Sequence, residues 1–364
     1  MIRPEESAQG RETVIVTGSS GLIGSAIVNR LAHRYRILAW DKVEPTEPLP
    51  DAAAFEKIDL TSDEAVDQRV AALKHTADGR VASVVHLAAY YDFSGEPSPF
   101  YDKVTVRGSE RLITALRRHD IHTDQFLFSS TMLVHRPTRP GEPIHEDSTT
   151  APTWDYPNSK LRTESVLHKH HGDIRLLILR VAGVYTDYCN SIPIAQQIRR
   201  IRERQMTSRV FPGDAHHGQA WVHLDDLVDA LERGVDRRTS LPPELAILIG
   251  EPDVMSYEQI QQVLGKLIHG ERWATHRIPK TLAKTGAWVQ NRLPGAGGAF
   301  IKPWMIDFAD AHYELDISRA RLVLDWEPRH RLRDTLTRMV AALKADPAAW
   351  YRAHGFEAPA RQQA

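Results

Sequence analysis

The fold is decided by one short stretch near the start of the chain, Thr13-Val14-Ile15-Val16-Thr17-Gly18-Ser19-Ser20-Gly21-Leu22-Ile23-Gly24. Its opening residues are mostly β-branched and have no helical period, which predicts a buried strand. The glycines that follow have the spacing G-x-x-G-x-x-G, and apolar residues then recur at every fourth position, at Ile23, Ile27 and Leu31. The stretch therefore predicts a strand, a tight glycine turn and an amphipathic helix.

A glycine turn of this kind leaves the first N–H groups of the helix free to bind a pyrophosphate, which the helix dipole also favours. The turn alone also fits a strand-to-helix connection with no ligand. Residues 36–40 predict a second strand, however, and Asp41 ends that strand 23 residues beyond Gly18. A carboxylate there accepts hydrogen bonds from ribose hydroxyls and repels the 2′-phosphate of NADP, so the pattern indicates an NAD site.

Strand and helix signals alternate through the first half of the chain. Further strands are predicted at residues 81–87, 125–129 and 175–180, and helices at residues 100–119 and 158–170. Because parallel neighbours need crossover connections, this alternation predicts an α/β fold with a doubly wound parallel sheet.

We expect three regions along the chain. Residues 11–180 form a dinucleotide-binding domain. Residues 181–345 form a smaller, mostly substrate-binding region that interleaves with the first domain around residues 220–250. Residues 346–364 form a tail that frays, as do the first ten residues.

Composition excludes several classes of protein. The 364 residues include 46 Lys+Arg and 47 Asp+Glu, a net charge of -1 that gives no general attraction to nucleic acid. No apolar run reaches the length of a membrane span and no signal peptide opens the chain, which indicates a cytoplasmic protein. Cys189 is the single cysteine, so a disulfide within the chain and a multi-cysteine metal site are excluded.

The histidines are interpreted as surface or structural residues. Two local clusters, at residues 168–171 and 216–217, are more typical of a solvated face than of a metal site, and His223 is assigned a structural role. No metal site is predicted.

Several further motifs resemble those of the extended short-chain dehydrogenase/reductases, the NAD-dependent epimerase/dehydratase group. They are Ile58-Asp59-Leu60, His86-Leu87-Ala88-Ala89, the segment 221–227 and the segment 315–328, and the match spans residues 12–345. The resemblance implies a Rossmann fold, a doubly wound parallel sheet with a smaller C-terminal α/β substrate-binding region. Dimers are common in this family, so a homodimer built from the helices at 100–119 and 158–170 is also an expectation.

The resemblance also implies which residues contact NAD. The Asp59-Leu60 pair would frame the adenine, and the residues after His86 would lie near the ribose. The full set of implied cofactor contacts is Gly18, Ser20, Gly21, Leu22, Ile23, Gly24, Asp41, Asp59, Leu60, Leu87, Ala88, Ala89, Ser129, Tyr156 and Lys160.

The spacing Y-x-x-x-K in Tyr156-Pro157-Asn158-Ser159-Lys160 places a phenol and an ammonium group on one face of a helix. By itself this spacing also fits a surface pair beside a proline turn. In the family it marks the acid/base tyrosine and the lysine that lowers its pKa, and Thr131, 25 residues earlier, holds the reacting oxygen. Ser129 and Ser130 are local competitors for that role. The set Thr131, Tyr156 and Lys160 predicts a metal-free hydride transfer.

Two departures from the family pattern bear on the reaction. Thr105 replaces the asparagine of the family's proton-relay helix, and its hydroxyl could substitute for the amide. Met132-Leu133 replaces the Asp-Glu pair of sugar-nucleotide dehydratases. Dehydration is disfavoured because no acid/base pair follows Thr131.

Two more departures bear on the substrate. Gly183 replaces an asparagine of nucleotide-sugar enzymes, and Gln219 stands where an arginine would grip the pyrophosphate. These changes argue against a nucleotide sugar, although Arg209 or Arg277 could compensate.

The substrate-side candidates are mostly aromatic, although core or rim packing explains each of them equally well. They are Tyr90, Tyr91, Phe93, His135 and Tyr185. The leading interpretation is an NAD-dependent alcohol/ketone oxidoreductase that takes a small-molecule, non-nucleotide substrate. The alternatives are a nucleotide-sugar epimerase that retains NAD, and a non-catalytic NAD-sensing binding protein.

Overall fold

The computed structural model describes residues 10–92, 96–285 and 302–357. Within these residues lies a seven-stranded sheet in which all neighbours are parallel, in the order β12-β8-β7-β5-β1-β2-β3, together with short two-stranded pairs. The strands, in chain order, are β1 (Thr13–Thr17), β2 (Arg36–Asp41), β3 (Ala53–Lys57), β4 (Arg80–Val81), β5 (Ser83–His86), β6 (His122–Thr123), β7 (Gln125–Thr131), β8 (Arg175–Val181), β9 (Gly183–Tyr185), β10 (Val210–Pro212), β11 (Trp221–His223), β12 (Glu244–Ile249) and β13 (His276–Ile278).

The strand order reverses at β1. From there the chain builds β2 and β3 on one side of the sheet and β5, β7, β8 and β12 on the other. The register pairs Thr17 with Trp40 on one neighbour and with His86 on the other, so the glycine turn, Asp41 and Leu87 leave the sheet side by side. A crevice outside the carboxyl ends of the strands at such a reversal is where open α/β sheets bind ligands.

Helices cover both faces of the sheet, and in the described ranges none is long and apolar enough to cross a bilayer. They are α1 (Leu22–Leu31), α2 (Asp63–Ala71), α3 (Leu73–Thr76), α4 (Arg107–Arg118), α5 (Asp155–His170), α6 (Ile192–Arg202), α7 (Leu224–Asp236), α8 (Tyr257–His269), α9 (Pro303–Asp307), α10 (Leu332–Ala345) and α11 (Pro347–Ala353). Shorter turns are the 3₁₀ segments Met132–Val134 and Met206–Arg209 and the π-helical segments Tyr101–Val106 and Ala320–Leu324.

The core explains why this sequence forms two helical layers around one sheet. Alternate residues of β1 point to opposite faces: Val14 and Val16 pack in the cluster that includes α1 and α7, and Ile15 packs in the cluster that includes α2 and α4. Because both faces are covered, the strands are continuously apolar rather than alternating. The predicted α/β Rossmann fold is confirmed.

A third apolar cluster lies on the C-terminal side, between α6, α8, α10 and α11. It corrects the expectation of a fraying tail for residues 347–353, whereas residues 358–364 and residues 1–9, which were also expected to fray, lie outside the described residues. Residues Pro347–Ala353 form α11, Asp346 caps this helix by accepting the Ala349 N–H at 2.8 Å, and Trp350 and Tyr351 are completely buried. Two large aromatic side chains hold this part of the chain against the domain, because their burial favours an ordered helix.

Candidate active site

The glycine turn between β1 and α1 is built so that only glycine fits at its two ends. Gly18 has φ +71°, and a Cβ there would lie 2.8 Å from the backbone nitrogen of Ala88, at the end of β5. A Cβ on Gly24 would overlap the carbonyl oxygen of Gly18. The helix begins after Gly21 without a side-chain cap. Its first N–H groups therefore remain available to an anion at the crevice.

Asp41 is the last residue of β2 and faces this turn. Its carboxylate oxygens accept the backbone N–H groups of Ser20 at 3.0 Å and of Val43 at 3.1 Å. The Ser20 hydroxyl donates to the Val43 carbonyl oxygen at 2.6 Å, so it serves the turn itself. A carboxylate oxygen has two lone pairs, and Asp41 is only partly buried, so it can accept ribose hydroxyls as well.

Two further observations fit a dinucleotide at this crevice. The Ser19 hydroxyl, inside the turn, is buried and has no hydrogen-bond partner among the described residues. Asp59 braces the neighbouring loop by accepting the N–H and the hydroxyl of Thr61, both at 2.8 Å, and the Thr61 N–H lowers the pKa of Asp59. Leu60 then packs against Gly108, where a Cβ would lie 3.1 Å from the leucine side chain. The residues predicted to bind NAD thus surround one edge of the sheet.

The tyrosine and lysine of the Y-x-x-x-K motif lie on the first turns of α5, as predicted. The Lys160 ammonium donates to the Ser129 carbonyl oxygen at 2.6 Å and lies 4.8 Å from the centroid of the Phe128 ring. It lies 5.8 Å from the centroid of the Tyr156 ring. Burial lowers the pKa of Lys160 to about 7. Burial also raises the pKa of Tyr156, so within the chain alone the lysine does not produce the expected lowering of that pKa.

The hydroxyl side chains at the end of β7 point to two different faces of the sheet. Thr131 is buried, and its hydroxyl oxygen accepts the Leu133 N–H at 3.3 Å at the start of a 3₁₀ turn. Ser130 points to the other face and donates to the Glu164 carboxylate at 2.5 Å. The Ser130 hydroxyl is therefore engaged by α5, and the side chains of Ser129 and Thr131 point to the opposite face of the strand.

An aromatic group surrounds the phenol. The Tyr91 ring meets the Tyr156 ring edge-on, with centroids 4.6 Å apart, and the Trp154 ring lies 5.4 Å from Tyr156. Trp304, from the start of α9, lies 5.1 Å from Trp154. Of these neighbours only Tyr91 was expected from sequence. Trp154 could have been found from its place two residues before Tyr156, but nothing local links Trp304 to the motif.

Tyr90 belongs to a second aromatic group next to Thr105. Its ring lies 4.9 Å from Tyr101 and 5.6 Å from Phe100, and its backbone N–H donates to the Thr105 hydroxyl at 3.0 Å. Thr105 lies in the π-helical segment, and its carbonyl oxygen accepts the Ser109 hydroxyl at 2.6 Å. π-Helical turns are frequent at functional sites, and here the turn holds the loop that carries Tyr90 and Tyr91.

The other substrate candidates lie away from the phenol. His135 is completely buried; one ring nitrogen bonds the Ser148 carbonyl oxygen at 3.1 Å and the other bonds Arg180 at 3.1 Å. Tyr185 is also completely buried, and its hydroxyl donates to Glu251 at 2.7 Å. Phe93 lies outside the described residues. Neither His135 nor Tyr185 has a ring contact with Tyr156, and a substrate role for them gains no support from this geometry.

A buried polar network joins α5 to strand β8. Arg180 on β8 donates to both carboxylate oxygens of Glu164, at 2.8 and 3.2 Å, and to the Glu146 carbonyl oxygen at 2.8 Å. Burial, followed by the positive charge of Arg180, lowers the pKa of His135 to about 4. Glu164 lies one helical turn after Lys160, so the network fixes the helix that presents the motif.

The first of the two substrate-side departures, Gly183, has a structural explanation. A Cβ on Gly183 would lie 2.5 Å from the indole of Trp221 on the neighbouring strand β11, so the indole occupies the room of a side chain at position 183. Arg277 pairs with Asp214 at 2.5 Å. Arg209 stacks on Trp273 with its guanidinium carbon 4.0 Å from the ring centroid. Both candidate replacement arginines thus have partners within the chain.

Comparisons with known proteins identify the family of this chain. A sequence model of the NAD-dependent epimerase/dehydratase family matches residues 14–250. The UDP-glucose 4-epimerase of Mycolicibacterium smegmatis is 29% identical over 233 residues, which cover 60% of this chain and 72% of that protein. The UDP-glucose 4-epimerase of Azospirillum brasilense is 27% identical over 349 residues, which cover 89% of this chain and 90% of that protein.

Solved structures agree in fold. The crystal structure of UDP-glucuronic acid 4-epimerase from Bacillus cereus, in complex with UDP-glucuronic acid and NAD, superposes with a TM-score of 0.67 at 21% identity, covering 92% of this chain and 99% of that one. The family match covers more than half of the chain and includes the glycine turn, Asp41 and the Y-x-x-x-K motif. The chain therefore belongs to the NAD-dependent epimerase/dehydratase family, within the extended short-chain dehydrogenase/reductases, and is an enzyme with NAD as its cofactor.

Proposed function

We propose that the enzyme is an NAD-dependent oxidoreductase that moves a hydride between nicotinamide and a secondary alcohol or ketone carbon of a non-nucleotide substrate, with Tyr156 as the acid/base. The observation that carries this proposal is the position of Tyr156. It starts α5 one turn before Lys160 and lies edge-on to Tyr91 with centroids 4.6 Å apart. A phenol held this way can exchange a proton with a substrate oxygen.

NAD would be held by the glycine turn, with Asp41 toward a ribose and the Asp59-Leu60 loop toward the adenine, as the resemblance implies. The chemistry that NAD supplies when bound is reversible hydride transfer with a carbinol carbon. The chain's own residues then have separate tasks. Thr131 positions the substrate oxygen through its hydroxyl, and Tyr156 gives or takes the proton at Oη.

Lys160 has the task of keeping the phenolate accessible. Because burial raises the pKa of Tyr156, the proton leaves only if positive charge lies near the phenol. The Lys160 ammonium, fixed by the Ser129 carbonyl oxygen at 2.6 Å, supplies such a charge. Its pKa of about 7 places its own titration near neutrality, so activity and the Lys160 charge should change together with pH.

The aromatic rings favour a substrate with a flat or apolar body. Tyr91, Trp154 and Trp304 form a continuous series of ring contacts from the phenol to α9. Rings of this kind bind apolar carbon skeletons by stacking and by burial of their surface. The Trp221 indole beside Gly183, and Gln219 in place of arginine, point away from a nucleotide diphosphate.

A nucleotide-sugar epimerase is the second candidate, because both sequence relatives named above are UDP-glucose 4-epimerases and one of them aligns along 89% of this chain. The two reactions share the hydride step at one carbinol carbon. They differ in cofactor release, since an epimerase returns the hydride and forms no net NADH. Incubation with NAD and UDP-glucose, with chromatographic separation of the sugar epimers and an absorbance assay for NADH, separates them.

The Tyr156→Phe variant tests the shared step. We expect turnover to fall by about 10²- to 10⁴-fold, because the variant lacks the group that exchanges the proton, while NAD binding measured by calorimetry stays close to wild type. Tyr188→Phe is the matched control, since Tyr188 is exposed and stacks on His354 away from the motif. Equal turnover in Tyr156→Phe and wild type would remove Tyr156 from the mechanism. No turnover of ring-bearing alcohols by wild type, with intact NAD binding, would contradict the proposed substrate class.

A further inference from the structure

Two histidines stack where the segment around β11 meets the segment before α10. His223 ends β11 and is almost completely buried, with 4% of its surface exposed, and His330 lies two residues before α10. The ring centroids are 4.0 Å apart and the ring planes differ by 20°. The two segments are already joined by Asp226, whose carboxylate accepts the backbone N–H groups of Arg329 at 3.1 Å and His330 at 2.9 Å.

Carboxylates surround this histidine pair. An Asp225 oxygen lies 3.7 Å from His223 Nδ1, and an Asp187 oxygen lies 3.5 Å from His223 Nε2. An Asp226 oxygen lies 3.1 Å from His330 Nδ1. One ligand atom from each of His223, Asp225 and His330 lies within 4.8 Å of the other two. Because the two rings are stacked, one of them must rotate before nitrogens of both can point at a single ion with bonds of about 2 Å.

Two of the imidazole nitrogens in this cluster make no hydrogen bond of good geometry to any described residue, although carboxylate oxygens of Asp187 and Asp226 lie 3.5 and 3.1 Å from them. They are His223 Nε2 and His330 Nδ1, and both atoms are buried. Buried polar atoms are normally satisfied, so such a pair inside one cluster requires a reason. A structural role explains only His223 Nδ1, which caps α7 by accepting the Asp225 N–H at 3.2 Å. It does not explain the other two nitrogens.

We propose that His223, Asp225 and His330 form a binding site for a divalent transition-metal ion of the zinc type, with Asp187 and Asp226 as neighbouring carboxylates. Imidazole and carboxylate are a ligand set that suits zinc. Burial and the neighbouring His330 lower the pKa of His223, which keeps its imidazole in the neutral form that a metal binds. Arg338 balances part of the negative charge by pairing with Asp187 at 3.1 Å.

Metal binding at this site should depend on pH because protons and the metal compete for the His223 ring nitrogens. Because His223 Nδ1 accepts the Asp225 N–H, the proton of the neutral ring is on Nε2. An ion bound at Nε2 requires the ring proton to move to Nδ1, which then loses the hydrogen bond from the Asp225 N–H, and an ion bound at Nδ1 replaces that hydrogen bond directly. In both cases acid competes with the metal. The bound ion would cross-link the β11 segment to the C-terminal segment and stabilise the fold rather than take part in the hydride step.

The test uses the full-length chain without an affinity tag. Equilibrium dialysis against Zn²⁺, followed by metal quantification, should find one ion per chain in wild type. His330→Asn and Asp225→Asn should each weaken binding by at least about 100-fold, because loss of a direct ligand exceeds the usual 10- to 100-fold effect of an outer partner. Asp225 is exposed, so Asp225→Asn will fold even if the histidine variant does not.

His168→Asn is the matched control. His168 contacts Glu244, which is not one of the proposed ligands, and substitution of His168 should leave zinc binding unchanged. Zinc should raise the thermal midpoint of wild type and of His168→Asn, but not of the two site variants. Co²⁺ should give a visible absorption band with wild type and with His168→Asn, but not with the two site variants. Absence of zinc binding in wild type, or equal binding in wild type and both site variants, would overturn the proposal.

Discussion

Substitution of Arg180 by methionine leaves a buried carboxylate without its cation. The Arg180 and Glu164 side chains expose only 10% and 3% of their surfaces, and two hydrogen bonds of 2.8 and 3.2 Å join them. Removal of one partner of a buried pair costs about 3–5 kcal/mol of unfolding free energy, since the remaining charge is desolvated and unpaired. We therefore expect Arg180→Met to be less stable than wild type by about 3–5 kcal/mol.

Urea unfolding, followed by tryptophan fluorescence and by circular dichroism, measures this difference. The matched control is Arg107→Met. The Arg107 side chain is 57% exposed in its pair with Glu110, and a pair of this kind contributes about 0–1 kcal/mol. The double variant Arg180→Met/Glu164→Gln should recover part of the loss, because neutralisation of Glu164 removes the unpaired charge. A loss below about 1 kcal/mol in Arg180→Met would refute the reasoning that the pair is buried and coupled.

Three further predictions follow from the geometry of the turn, the neighbouring strand and the motif. Gly24→Ala should abolish NAD binding by calorimetry, since its Cβ would overlap a carbonyl oxygen of the turn. Gly183→Ala should lower unfolding free energy by about 1–3 kcal/mol, because its Cβ would lie 2.5 Å from the Trp221 indole; an unchanged urea midpoint would contradict this. The folded pKa of Lys160 is about 7, below its unfolded value, so the unfolded state binds more protons between about pH 7 and pH 9.5. Over that range the unfolding free energy of wild type should rise with pH relative to that of Lys160→Met. An equal pH dependence of unfolding free energy in the two proteins, measured with urea, would contradict this.

The cofactor edge could be predicted from sequence because its signals are local. The β1 strand, the glycine turn and α1 occupy adjacent residues, and their register with β2 and β5 follows from the parallel sheet. The signal for the start of α5 is also local, since a proline follows Tyr156, the second residue of this helix. Turns and helix starts require particular residues, such as glycine or proline, at particular positions, so a short stretch of sequence is enough to predict them.

The substrate side could not be predicted in the same way, because its contacts join distant segments. Trp304 reaches Trp154 from a separate helix, and His330 stacks on His223 across more than a hundred residues. Helix α11 was missed because a short terminal segment rich in alanine and proline resembles a tail until Trp350 finds its buried place. The positions of these residues depend on burial against distant segments, which the periodicity of a local sequence does not indicate.

The most direct test of the account is the fate of deuterium at the carbinol carbon. A panel of ring-bearing secondary alcohols, deuterated at that carbon, is incubated with the enzyme and NAD, and the cofactor is analysed by mass spectrometry. We predict label in the reduced cofactor with wild type and no label with Tyr156→Phe. Turnover with the label kept on the substrate carbon, or equal labelling by Tyr156→Phe, would contradict hydride transfer controlled by Tyr156.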